Sequence, residues 1–89
     1  MATSIIKSNI EIRTGSGTTN TNGALEIANI LRTETLLWVH ILTGDSNAMA
    51  IPFRYANADG YWYAKVVRWD NLTTIANKAF TYEFAVLGE

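Results

Sequence analysis

The sequence lacks several features on which catalytic and secreted domains depend. Its 89 residues include no cysteine, so the chain can form neither a disulfide nor a thiolate metal site. The single histidine, His40, has no carboxylate or other metal-ligating side chain at a spacing that would make it a general base or a metal ligand. The acidic residues show no pairing along the chain. We therefore expect no enzymatic activity, no cofactor and no bound metal.

Charge is also scarce, and it favours neither sign. Charged residues make up 17% of the chain, and the net charge is −1. The basic residues are dispersed, so no basic run is available to follow a nucleic-acid backbone. No apolar stretch approaches the ~20 residues of a membrane span, and the N-terminus lacks the basic start and apolar core of a signal peptide. We expect no nucleic-acid binding, no membrane insertion and no signal-dependent secretion.

Apolar residues, at 48%, are abundant enough for a folded core, and the length suits a single domain over 1–89. Apolar burial is expected to contribute on the order of 135 kcal/mol. Ordering 89 residues costs about the same, at about 1.5 kcal/mol each. Since a monomer of this size is marginal by that estimate, we expect the protein to oligomerise with itself.

Alternating apolar and polar residues, punctuated by glycine, predict an all-β chain. The fold class is a single antiparallel β-sandwich or jelly-roll-like domain of six to seven strands. A flexible Thr/Asn/Gly-rich loop is predicted over 14–23, and a short turn or strand over 75–77. The predicted strands span Ser4–Arg13, Ala24–Ile30, Leu36–Leu42, Ala48–Tyr55, Tyr61–Trp69 and Ala79–Leu87.

The strand at 36–42 is apolar on both faces. Strict alternation places Leu37, Val39 and Ile41 on one face and four other residues on the opposite face. A single small domain can hardly cover both faces, so the second face is a candidate oligomer interface. Its residues are Leu36, Trp38, His40 and Leu42. We expect His40 to be a histidine whose hydrogen bonds are satisfied inside the core or an interface, rather than a general base or a metal ligand.

Aromatic residues cluster around a predicted hairpin whose tip contains Asn57, Asp59 and Gly60. Tyr61, Trp62 and Tyr63 are consecutive, so they cannot all face inward, and we expect Trp62 in the core. Aromatic side chains pair across strands in ordinary sheets, but exposed ones also serve as anchors at interfaces. The candidate ligand-binding residues are Tyr61, Tyr63, Trp69, Asn57 and Asp59.

The order of these segments resembles a known kind of domain. A Thr/Asn/Gly-rich loop precedes Leu36-Leu-Trp-Val-His-Ile41, and Ile51-Pro-Phe53 and a polar tip precede Tyr61-Trp-Tyr-Ala-Lys-Val66. The chain ends on an alternating Phe80-Thr-Tyr-Glu-Phe84 strand. Over roughly 14–87 this pattern is similar to the small β-sandwich domains at the tips of bacteriophage tail fibres and related receptor-binding proteins.

The resemblance implies a virion protein, made in the host cytoplasm, that forms a homotrimer or another symmetric oligomer. It also implies attachment to a host cell-surface glycan or protein through exposed loops, without a catalytic residue. One alternative is a capsid-decoration or baseplate protein that binds only other virion proteins. Another is a free-standing carbohydrate-binding, lectin-like domain in which Tyr61, Tyr63 and Trp69 form a flat stacking platform.

Overall fold

The computed structural model describes residues 9–54 and 61–88 and contains six strands there, arranged in two antiparallel sheets. The predicted all-β sandwich is confirmed, and no helix able to cross a membrane occurs within these ranges. The strands are β1 (Ile10–Thr18), β2 (Ala24–Glu26), β3 (Thr35–Thr43), β4 (Ala48–Phe53), β5 (Tyr63–Arg68) and β6 (Ala79–Leu87).

Each sheet has three strands, with β6 at the centre of one and β5 at the centre of the other. The front sheet has the order β1-β6-β3 and the back sheet the order β2-β5-β4. Strands β3 and β4 lie side by side along one edge of the sandwich, and β1 and β2 approach each other along the other. The core therefore lies between the two sheets, and each sheet retains an outer face.

The core depends mainly on β6, whose alternation the sequence predicted correctly. Phe80, Tyr82, Phe84 and Val86 are each no more than 2% exposed. They pack against Leu25, Ala64 and Val66 of the back sheet. Trp62 is half-buried against the same cluster, as predicted.

The predicted loop at 14–23 is half strand, because β1 continues to Thr18. Gly15 lies opposite Tyr82, and a Cβ there would approach the Tyr82 hydroxyl to 2.8 Å. The glycine therefore makes room for a core tyrosine in a regular strand. The turn itself occupies 19–23, where the Asn20 side chain accepts hydrogen bonds from the backbone of Asn22 and Ala24.

The face assignment of β3 was wrong at its start. Irregularities in the pairing with β6 fall between Leu36 and Trp38 and between Ile41 and Thr43. A bulge adds one residue and inverts the alternation on one side of it. Leu36 is consequently 4% exposed and part of the core, together with Val39. The predicted interface residue Leu36 is not on the surface, and Leu37 is exposed in its place.

The predicted hairpin is present as the antiparallel pairing of β4 with β5, with Phe53 opposite Tyr63. The residues predicted for its tip, including the candidates Asn57 and Asp59, lie outside the described residues. Pro52 is in β4, an edge strand of the back sheet, where a missing backbone N–H is tolerated. Strand β2 is shorter than predicted and ends at Glu26.

Candidate functional site

The outer face of the front sheet carries a group of exposed apolar side chains, called here the apolar face. The cross-strand register brings them together, since Ile12 and Trp38 both lie opposite Ala85, and Ile10 lies opposite Leu87. Ile10 and Ile12 are each 55% exposed, and Leu37, Trp38 and Leu87 are each about 40% exposed. The apolar face consists of Ile10, Ile12, Leu37, Trp38, Ala85 and Leu87.

A small residue occupies the centre of the apolar face. Ala85 is fully buried although it points outward, because its neighbours Ile12 and Trp38 flank it across the two adjacent strands. At about 200 Å² per large side chain, the five exposed members present roughly 450 Å² of surface. Patches of this size on a single chain often mark binding sites.

The other half of the same sheet surface is polar. Outward positions there are filled by Thr14, Ser16, Thr43, Thr81, Glu83 and His40. His40 lies opposite Glu83 and is exposed, so it is not a core histidine. Of the four predicted interface residues, Trp38, His40 and Leu42 are on the surface.

A second group of side chains lies near the start of β5 and is called here the arginine–aromatic end. It consists of Arg32, Arg54, Tyr61 and Trp62. The guanidinium of Arg32 stands 5.0 Å from the ring centre of Tyr61, and that of Arg54 stands 4.8 Å from Trp62. Both distances fall within the range of cation–π attraction. The sequence pattern predicted Tyr61 as a candidate but gave no sign of Arg32, which is 29 positions away.

The predicted stacking platform of Tyr61, Tyr63 and Trp69 is not assembled. Tyr61 and Tyr63 lie at the start of β5, whereas Trp69 follows its end, next to Asn47. Six residues of extended chain span about 20 Å, so one sugar ring cannot contact both Tyr63 and Trp69. Tyr63 instead stacks on Phe53, with ring centres 5.6 Å apart.

An ion pair that the sequence did not reveal ties β1 to the loop before β3. Arg13 binds both carboxylate oxygens of Glu34, at 2.9 and 2.7 Å, and donates to the backbone oxygen of Asn29 at 2.6 Å. The hydrogen bonds from Arg13 and from the Leu31 backbone lower the pKa of Glu34 to about 2. The Glu34 backbone oxygen accepts the Trp62 indole N–H at 3.0 Å, so Glu34 connects β1, the loop and β5.

Low pH should weaken the ion pair between Arg13 and Glu34. Because the pKa of Glu34 is lowered in the folded state, its stabilising contribution is complete above about pH 4.5 and disappears as the pH falls through about 2. We expect thermal melts from pH 6 to pH 2 to show the wild type losing the stability advantage that it holds over Glu34→Gln at neutral pH. Glu83→Gln is the control, since none of the described residues forms a hydrogen bond or an ion pair with the Glu83 carboxylate. A wild-type advantage over Glu34→Gln that persisted unchanged at pH 2 would contradict this role.

A shallow groove of about 490 Å³ passes the Tyr82 hydroxyl at the edge of β1. That hydroxyl accepts a hydrogen bond from the Ala28 backbone at 3.2 Å, and burial raises the pKa of Tyr82. The phenol is therefore protonated at neutral pH and serves as a structural hydrogen-bond partner. The groove brings together no nucleophile and base.

The described residues contain no group of three histidine, aspartate or glutamate side chains placed to hold a metal ion. Comparisons with protein-family models, with curated proteins and with solved structures found no match. The apolar face and the arginine–aromatic end are two surfaces of the described residues at which exposed side chains are apolar or pair a cation with an aromatic ring.

Proposed function

We propose that this chain is a non-catalytic attachment module of a virion surface or tail tip, and that it assembles with copies of itself through the apolar face. The observation that supports the proposal is the contiguous exposed patch around Ala85, formed by all three strands of the front sheet. The tail-fibre resemblance adds the expectation of a trimer and of a host glycan or protein as the external partner.

A second copy is the occupant that fits this face best. A standard interface buries about 800 Å² per partner, and the exposed apolar side chains supply roughly half of that area. The threonine and serine side chains on the same sheet can provide the polar rim that such interfaces have. None of the described residues that form the apolar face is charged, so two copies can meet there without burying a charge from these residues.

The length of the strands also suits contact between copies. The three strands include two edge strands of nine residues, about 30 Å long. Ile12 and Trp38 stand on either side of Ala85, so their side chains can interlock with the same side chains of a neighbour. A closed homo-oligomer would cover the patch in every subunit.

The test compares two lysine substitutions on the same strand, both of which point out from the front sheet. Ile12→Lys places a charge in the apolar face, and Thr14→Lys places one two residues further along β1, among the polar side chains. We expect light scattering to show an oligomer for the wild type and for Thr14→Lys, and a 9.9 kDa monomer for Ile12→Lys. Burying an unpaired charge should weaken association by roughly 100-fold or more.

Two results would contradict the proposed assembly. One is a wild type that remains monomeric at concentrations up to the millimolar range. The other is equal dissociation by Thr14→Lys and Ile12→Lys, since that would place the contact outside the apolar face. Circular dichroism of both variants shows whether the fold is retained, which both substitutions should allow because both positions are exposed.

A further inference from the structure

The described residues include six cations, of which five fall into two groups, while Lys65 in the middle of β5 belongs to neither. Arg13, Arg68 and Lys78 lie within 4 Å of at least one carboxylate. Arg32 and Arg54 are exposed, and in the described part of the chain they contact aromatic rings and no carboxylate. Among the described residues, positive charge is thus paired with carboxylates at the far end of β5, whereas the two arginines of the arginine–aromatic end lie over aromatic rings.

Stacking on a ring prepares a guanidinium for a further contact. The ring covers the flat face of the group, while the N–H donors in its plane point outward and remain able to bind. These donors match a carboxylate in a two-point arrangement. Arg32 and Arg54 are exposed and lie 5.0 and 4.8 Å from the ring centres, so their N–H donors remain accessible beside an aromatic ring.

Arg32 and Arg54 belong to two segments that both interact with Trp62. Arg32 belongs to the loop between β2 and β3, which Trp62 holds through its indole N–H to the Glu34 backbone oxygen at 3.0 Å. The Ile27 backbone N–H, at the start of that loop, also donates to the Trp62 oxygen at 3.0 Å. Arg54 directly follows β4 and stacks on the same Trp62. Both arginines therefore belong to segments that contact Trp62.

From this arrangement we propose that the arginine–aromatic end binds an acidic saccharide. A sugar carboxylate would bind the guanidinium donors of Arg32 or Arg54, and the apolar face of a sugar ring would lie against Tyr61, which is 42% exposed. Two guanidiniums that contact no carboxylate of the described residues suit one or two acidic sugars. They are too few to follow a nucleic-acid backbone, and the net charge of −1 gives no wider attraction.

This inference rests on the proposed attachment function, to which it adds the class of ligand. Its test is calorimetric titration of the full chain with three acidic probes: oligogalacturonate, a hyaluronan oligosaccharide and sialyllactose. The matched neutral probes are galactan oligosaccharide and lactose. We expect at least one acidic probe to bind and the neutral ones to bind at least tenfold more weakly, with affinity falling as salt is raised.

Arginine variants locate the site. At least one of Arg32→Gln and Arg54→Gln should reduce the affinity for the acidic probe by roughly tenfold or more, since it removes the charge-assisted contact to the carboxylate. Arg68→Gln is the matched control, because Arg68 lies at the far end of β5 beside Asp45 and Asp70. It should bind as the wild type does.

Three outcomes would overturn the inference: no acidic probe binding better than its neutral counterpart, an equal loss in Arg68→Gln, or tighter binding of a single-stranded oligonucleotide than of any saccharide. Light scattering on the same samples separates the two proposals. A protein that is oligomeric through the apolar face but binds no acidic probe contradicts the saccharide inference alone, and a monomer that binds the probe contradicts only the assembly.

Discussion

Replacing Gly44 with alanine should destabilise the fold by about 3 kcal/mol or more. Gly44 follows β3 with φ +129°, a conformation that residues with a side chain rarely adopt. A Cβ there would lie 2.7 Å from the Ala79 backbone oxygen and would also collide with the Phe80 ring. Backbone strain costs about 1–3 kcal/mol, and overpacking against a buried ring costs about 1–3 kcal/mol more.

Urea denaturation measures this effect, with Gly88→Ala as the control. A Cβ on Gly88 would meet only Asn9, at 3.7 Å, which is an ordinary contact. We expect the unfolding midpoint of Gly88→Ala to stay close to that of the wild type, while Gly44→Ala unfolds at much lower urea. Similar midpoints for the two variants would show that the turn after β3 is not as tightly packed against β6 as described.

Truncating Phe84 to alanine should cost a similar amount, about 3–5 kcal/mol. Phe84 is fully buried at the middle of β6, with its ring centre 5.7 Å from that of Tyr82 and with Val39 opposite it on β3. Removing the ring would leave a cavity between rigid sheets that can close only partly. The expected result is a variant that is largely unfolded at a temperature where the wild type is folded.

Phe53→Ala is the matched control for Phe84, because it makes the same change on the outer face of the back sheet. Phe53 is half-buried and stacks on Tyr63, so we expect its loss to cost less than half as much. Thermal melts of the two variants compare them directly. A larger loss for Phe53→Ala would contradict the placement of the core between the two sheets.

How far the fold follows from the sequence depends on how regular each strand is. The alternation from Phe80 to Val86 predicted β6 with its bounds and its buried face, because the strand is unbroken and central. Strand β3 pairs irregularly with β6, and its sequence contains no residue that indicates where the bulge lies. Gly15 was assigned to a loop because composition cannot distinguish a glycine in a turn from one that faces a large core side chain.

The candidate site, too, could be predicted from the sequence only in part. Exposed aromatic residues near a hairpin could be predicted, and Tyr61 is indeed exposed. The partners of these residues could not, because Arg32 and Tyr61 are joined only by the folding of a long loop onto β5. The Arg13–Glu34 pair, 21 positions apart, is hidden from the sequence for the same reason. Contacts between distant positions depend on strand order, which alternation alone does not specify.

The apolar face remains the feature on which the proposed assembly depends, and hydroxyl-radical footprinting of the wild type tests it directly. Trp38 lies in that face and is 41% exposed in the single chain, whereas Trp69 lies at the end of β5 and is 62% exposed. With rising protein concentration, we predict that oxidation of Trp38 falls as the oligomer forms, while oxidation of Trp69 stays constant. Oxidation of Trp38 at an unchanged rate, in a protein whose mass has risen to that of an oligomer, would contradict assembly through the apolar face.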